Sequence, residues 1–289
     1  MAPGSFAQGA GSATRAALSG NFARRRRIEA GVTALRHWPE YLMEAAELAA
    51  FMIAACVVVA FLEHPESPLS SWIDDPVTRR GLTGAAMGLT AIAIVYSPWG
   101  RRSGAHFNPA VTLTFWRLGK VSTVDAILYV AAQFAGGIAG VWIAGRILGE
   151  WIADPAVRYV ATLPVEGGAA AAFGAEVAIS FGLMAVVLVV SNTPRLARYT
   201  GLFCGAVVAA YISIEAPLSG MSMNPARSFG PAVVGQVWTG LWIYFTAPPL
   251  GMLAAAELYL RWRGPTGVDC AKLHHQSSKR CIFCLHQSA

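Results

Sequence analysis

Residues 103–112 read SGAHFNPAVT, and residues 219–228 read SGMSMNPARS. Both open on Ser-Gly and carry Asn-Pro-Ala at the same offset, so one phrase stands twice, 116 residues apart (224 − 108) in a chain of 289. Asparagine is among the best helix N-caps. Proline is favoured at the first helical position, where its missing N–H would lack a partner anyway. Asn108-Pro109-Ala110 and Asn224-Pro225-Ala226 therefore read as the starts of two helices. Each opens an apolar run of about ten residues, 108–116 and 224–234, which is too short to cross a bilayer and suits a re-entrant segment.

The rest of the chain supplies the membrane. It is 55% hydrophobic with a mean hydropathy of +0.48, and only 13% of its residues are charged, against about 25% in soluble domains. Six longer apolar stretches, near 41–62, 81–98, 124–148, 169–191, 199–215 and 236–260, match the roughly 20 residues a span requires. The expected class is an all-α membrane protein of six transmembrane helices plus two re-entrant half-helices. Lys and Arg crowd one side, from the N-terminal arginines through Arg101, Arg102, Arg117, Lys120, Arg195, Arg198 and Arg261 to the C-terminal residues. The other side keeps Arg79, Arg80, Arg146, Arg158 and Arg227 beside several acids. By the positive-inside rule both termini are cytoplasmic, with a plasma or bacterial inner membrane as the expected location. The domain expectation is a basic arm over 1–37, a channel domain over 38–264 and a cytoplasmic tail over 265–289.

The channel domain itself repeats, at about 38–150 and 166–264. Ala46-Glu47-Leu48-Ala49 opens the first half and Ala175-Glu176-Val177-Ala178 the second, and each half places an Asn-Pro-Ala between its second and third spans. Three spans per repeat is an odd number, so the second repeat is inverted, an arrangement that puts a site near the midplane where half-helices meet. Irregular backbone at that depth must face protein or a water-filled cavity. Two helix N-termini meeting there each bring roughly half a positive charge, which repels cations and protons. Each Asn also presents a donor to a passing oxygen. Glu47 and Glu176 read as buried carboxylates that hold the re-entrant loops. Glu44, whose counterpart is Phe173, reads as interfacial.

These residues, above all SGAHFNPAVT and the later MNPARSFGPA, resemble those of the major intrinsic protein family, the aquaporins and aquaglyceroporins, over about residues 38–262. The resemblance implies an aquaporin-like inverted 3+3 bundle, one pore per subunit, a homotetramer, water and small neutral solutes as cargo, the lipid bilayer as partner, and neither cofactor nor nucleic acid. It places a selectivity-filter arginine at Arg227 and further filter positions at Met221, Ile212 and Met87, with Gly88 in the last place if the loop after the second span is not lengthened. Aliphatic Met87, Ile212 and Met221 match neither the water-channel nor the glycerol-channel pattern. Ser228, Ala232 and Tyr244 resemble the water-channel branch.

No nucleophile–base pairing or nucleotide loop suggests an enzyme. The alternatives are a facilitator of glycerol, metalloid acids, ammonia or peroxide; an ion-coupled secondary transporter working through Glu47 or Glu176; and a non-conducting scaffold. The tail carries Cys270, His274, His275, Cys281, Cys284 and His286. A Cys-x-x-Cys with nearby histidines can bind zinc, but the spacing fits no standard finger and no apolar pattern would fold around it, so the tail reads as a disordered cytoplasmic segment with zinc binding as the alternative and no metal residues assigned.

Overall fold

In the computed structural model the described residues, 9–264 and 266–284, form ten α-helices and no strand, with side chains described at Val32 and from Arg36 onward. The arginines at 24–27 and His286 lie outside the described side chains. The helices are α1 (Gly9–Glu63), α2 (Pro68–Trp72), α3 (Pro76–Tyr96), α4 (Gly100–Ser103), α5 (Pro109–Arg117), α6 (Thr123–Leu148), α7 (Ala169–Ser191), α8 (Thr200–Ser219), α9 (Pro225–Gly235) and α10 (Leu241–Arg263).

Among the described residues five segments are long and apolar enough to cross a membrane: Arg36–Glu63, Thr123–Ala153, Ala169–Ser191, Ala197–Ser219 and Leu241–Arg263. The sixth, α3, has 21 residues, about 31 Å at the helical rise. Arg79 and Arg80 in its first turns make it less apolar. Both are anchored: Arg79 Nε lies 3.1 Å from a Glu63 carboxylate oxygen and Arg80 Nε donates to the Ser213 carbonyl at 3.0 Å. Those arginines also explain why the sequence boundary at 81 falls late. The helix starts at Pro76, capped by Asp75, whose carboxylate accepts from the Val77 and Thr78 N–H groups. At the other end of the chain α10 starts at 241 rather than 236, because Gln236 adopts a left-handed conformation and ends α9.

Packing follows an internal two-fold. In one repeat α1 lies against α6, in the other α7 lies against α10, and α3 and α8 meet between them. The half-helices cross over: α9 packs on α6 of the first repeat, α5 on α10 of the second. At the α3–α8 crossing Gly88 and Gly205 face each other so closely that a Cβ on either would stand 2.5 Å from the other's carbonyl oxygen. Small residues at this crossing let the backbones approach, as in membrane helix pairs generally. Leu89, Ile127, Ile147, Ile214 and Leu250 point outward, the surface a bilayer would cover.

The tail differs from its sequence expectation. After Gly264, residues 266–284 fold back on the bundle face that carries the α7–α8 loop and the loop before α5. Val268, Ala271, Leu273 and Ile282 are buried. Asp269 N–H donates to Asn192 Oδ1 at 2.7 Å and Leu273 N–H to the Gly104 carbonyl at 3.1 Å. Its apolar residues follow neither a helical nor a strand period, which is why their burial is not visible in the sequence.

Candidate functional site

The doubled phrase builds one structure twice. Gly104 (φ 109) and Gly220 (φ 78) end the preceding helices in the left-handed region that glycine tolerates. Beyond them, Ala105, Phe107, Met221 and Met223 also take positive φ, of 57°, 30°, 50° and 54°. These are the third and first residues before each Asn. Left-handed non-glycine residues cost about 1–3 kcal/mol each and persist only where the surroundings over-determine them.

Buried carboxylates supply that constraint. Glu176 accepts the N–H groups of Ser222 (2.7 Å) and Met223 (2.8 Å) and the Ser219 hydroxyl (2.7 Å). In the first repeat the same work is divided. Glu44 accepts the N–H groups of His106 (2.8 Å) and Phe107 (2.6 Å) and the Gln133 amide (2.7 Å), whereas Glu47 accepts the Ser103 hydroxyl (2.7 Å). The sequence reading therefore needs correction: Glu44 is fully buried and holds the loop backbone, and Glu47 reaches only the serine at the loop's start. The matched Ala-Glu tetrapeptides misled the register. The signal that could have found Glu44 is its place three residues before Glu47, on the same helical face.

Ser103 and Ser219 are the first letters of the phrase, and each links a carboxylate to the chain. Their hydroxyls accept the N–H groups of Ala105 (3.0 Å) and Met221 (3.1 Å). Their carbonyls accept the phenols of Tyr129 and Tyr244. Neither Tyr129 nor Gln133 stood out in the sequence.

Asn108 caps α5, its Oδ1 accepting the Ala110 N–H at 2.9 Å. Asn224 caps α9, its Oδ1 accepting the N–H groups of Ala226 and Arg227 at 3.1 and 3.2 Å. The two amides reach across to the opposite loop: Asn108 Nδ2 donates to the Met223 carbonyl and Asn224 Nδ2 to the Phe107 carbonyl, each at 2.8 Å. One N–H of each amide is thereby committed. The second N–H of each remains for a guest, since an amide nitrogen carries two.

Both asparagines line a cavity of about 550 Å³. Its wall extends from Pro155, Val157 and Arg158 at one face, past Asn108 and Asn224, to Val95, Cys204 and Leu273 beneath the tail at the other. The wall is mostly aliphatic, with Val59, Val111, Leu183, Val187 and Val208 among its members. Met87, Ile212, Met221 and Arg227 all line it. Gly88 instead faces α8, as its contact with Gly205 shows. Pro109, Ala110, Pro225 and Ala226 are buried behind the asparagines. Arg227 is held by Nη1 donating to the Val160 carbonyl at 2.7 Å. Residues Arg158, Tyr159 and Val160, all at positive φ, shape the turn that presents that carbonyl. Ser228 is buried behind the loop, bonded to Thr162 (2.8 Å) and Ser222 (2.6 Å) hydroxyls.

At the opposite end, His106 joins the first loop to the tail. Its Nε2 donates to the Ala271 carbonyl at 2.8 Å, and its ring stacks between Phe115 and Phe283, with centroids 5.2 and 5.4 Å away.

A family model described as "Major intrinsic protein" matches residues 32–259. A probable aquaporin NIP-type of Nicotiana alata is 39% identical over 173 residues, 60% of this chain and 62% of that protein. Aquaporin NIP1-2 of Arabidopsis thaliana is 34% identical over 212 residues, 72% of this chain and 68% of that one. The matched part is thus less than two thirds of the Nicotiana relative's length. Among solved structures, the aquaglyceroporin from Plasmodium falciparum superposes with a TM-score of 0.62 over 77% of this chain and 95% of its own, at 17% identity, a likeness of fold.

Proposed function

From the premise that the chain belongs to the major intrinsic protein family, we propose that it is a passive transmembrane channel for water and small uncharged solutes. The observation that supports this most is the reciprocal lock of the two half-helices: Asn108 and Asn224 each spend one amide N–H on the opposite loop and keep one for the cavity they line. A water there accepts two fixed donors, which orients its own hydrogens away from the centre and interrupts a proton-conducting file. The half-helix ends add positive potential at the same level.

Arg227 forms a second barrier on the side away from the tail. Its guanidinium is permanently charged and pinned to Val160, so it repels cations while offering donors to a neutral oxygen. Met87, Ile212 and Met221 complete that constriction with apolar, adaptable surface. The relatives' names, aquaporin and aquaglyceroporin, agree with water or a small polyol as cargo. The tail face, rich in Lys and Arg, is assigned to the cytoplasm of a cell membrane. The subunits are assigned to a homotetramer, as the family implies, which the particle mass in detergent tests.

An ion-coupled transporter needs a carboxylate exposed to the path. Glu44, Glu47 and Glu176 are buried behind the loops and bonded to them, and Glu63, the carboxylate that does line the cavity, is paired with Arg79 at 3.1 Å. Solute uptake into proteoliposomes separates the two readings. A channel gives flux that rises linearly with glycerol gradient and ignores an imposed proton gradient; saturable flux driven by that gradient would favour the transporter.

A further inference from the structure

Four tail residues that the sequence did not assign to a metal converge on the tail face. The donor atoms of Cys270, His275, Cys281 and Cys284 all lie within 4.8 Å of one another. Cys270 Sγ stands 3.4 Å from Cys281 Sγ, and His275 Nε2 stands 3.0 Å from Cys284 Sγ. In a tetrahedral zinc site with bonds of about 2.3 Å to sulfur and 2.0–2.1 Å to nitrogen, such edges measure about 3.8 and 3.6 Å. The two short edges reach that shape by opening about 0.4 and 0.6 Å, and the other edges, none above 4.8 Å, by closing about 1 Å at most. Three thiols and one imidazole form a complete four-ligand set of the closed, structural kind, selective for soft or borderline ions. Two ligands are buried, one is half-buried and one exposed, so the site has both a packed base and an entry side. Lys272, buried beside the cluster, supplies positive charge against three thiolates.

Two of the ligands bracket a residue of the cavity wall. Leu273, three positions after Cys270 and two before His275, lines the cavity end and is only 6% exposed. Its N–H is bonded to Gly104 and the Ala271 carbonyl to His106, two residues before Asn108. The other ligand pair flanks Phe283, which stacks on His106. An ion held by all four would cross-link the two arms of the folded tail at this end of the cavity.

We infer that Cys270, His275, Cys281 and Cys284 form a site for a zinc-class divalent ion, and that its occupation holds the tail across the cytoplasmic mouth and closes it with Leu273. The closure rests on the channel reading above; the metal site does not. The mechanism is linkage: ligands are deprotonated and cross-linked only in the folded tail, so the ion favours the closed arrangement over the released one.

The test uses the full chain, purified under reductant. Metal analysis is expected to find one zinc per chain, and cobalt(II) exchange to give thiolate charge-transfer absorption, both lost in the double variant Cys281→Ser, Cys284→Ser. In proteoliposomes, chelation is expected to raise water permeability about tenfold or more, because structural zinc binding exceeds the energy that such a population shift requires. The double variant should be fast with or without zinc. Absence of stoichiometric metal, or a Cys270–Cys281 disulfide in its place, would overturn the site. Bound metal with equally fast flux in both states would overturn the closure and leave the channel intact. Flux at the empty-lipid level in the chelated chain and the double variant alike would overturn the channel reading and the closure together, while the cobalt spectrum still judges the site.

Discussion

Replacing Glu44 with Ala should damage this protein far more than replacing Glu47 with Ala, although the two glutamates sit one turn apart and are equally buried. The volumes removed are the same, so cavity costs cancel and the hydrogen bonds decide. Glu44→Ala removes the acceptor of three N–H bonds, those of the His106 and Phe107 backbone and one from the Gln133 amide, whose nitrogen keeps Thr112 Oγ1 at 3.0 Å. A buried donor without a partner costs about 1–3 kcal/mol, giving about 3–9 kcal/mol in a dry site. The loop borders the cavity, and water entry from it brings the expectation to the lower end, about 3 kcal/mol, or more than a hundredfold in the unfolding equilibrium. Glu47→Ala strands only the Ser103 hydroxyl, which can turn to Glu44, so about 1 kcal/mol or less is expected. The assay is the SDS-induced unfolding midpoint of purified protein, with water flux of each variant measured in parallel. Glu44→Gln should lie between the two, since one oxygen is kept. Equal losses for the two alanine variants, or a larger loss for Glu47→Ala, would refute the division of labour drawn from the hydrogen bonds.

Asn224→Asp should keep α9, because Asp caps as well as Asn, but it replaces a donor with a negative charge that cancels the roughly half-unit helix potentials; cation leak in dye-loaded vesicles should rise above the lipid background while topology stays unchanged. Arg227→Val removes a fixed charge whose effect on a cation 4 Å away is about 4 kcal/mol at an effective dielectric of 20, so glycerol and cation entry should both increase relative to water; unchanged selectivity would show the constriction to lie elsewhere. Gly88→Leu places a side chain against the Gly205 carbonyl, where even a Cβ would stand at 2.5 Å, and should lower folded yield, read by size-exclusion recovery, whereas Leu89→Ala on the outward face should not.

The fold was legible where the sequence states it in its own periodicity. Asn-Pro-Ala encodes a helix start by local cap chemistry, and its duplication with an odd number of spans implies inversion. Neither inference needs a tertiary contact. What the sequence hid depends on long-range geometry. The i, i+3 spacing puts Glu44 and Glu47 on one helical face, but which of the two carboxylates meets the loop is set by helix rotation, a long-range fact. Arg79 and Arg80 disguised the start of α3, because charge suggests a loop until their partners Glu63 and Ser213 are seen. The tail hid most. Its cysteines and His275 are brought together by a fold without period, held to the bundle by Asn192, Gly104 and His106.

Paired half-helix ends that pass water while stopping protons are the heart of the proposed function. Water and proton fluxes measured in the same zinc-free, pyranine-loaded proteoliposomes test it most directly, by stopped-flow light scattering under an impermeant osmolyte and by dye fluorescence under a pH step. Shrinkage much faster than in empty vesicles is expected, together with a proton leak at the lipid level. Proton flux that rises with water flux, or shrinkage no faster than lipid despite verified insertion, would contradict it.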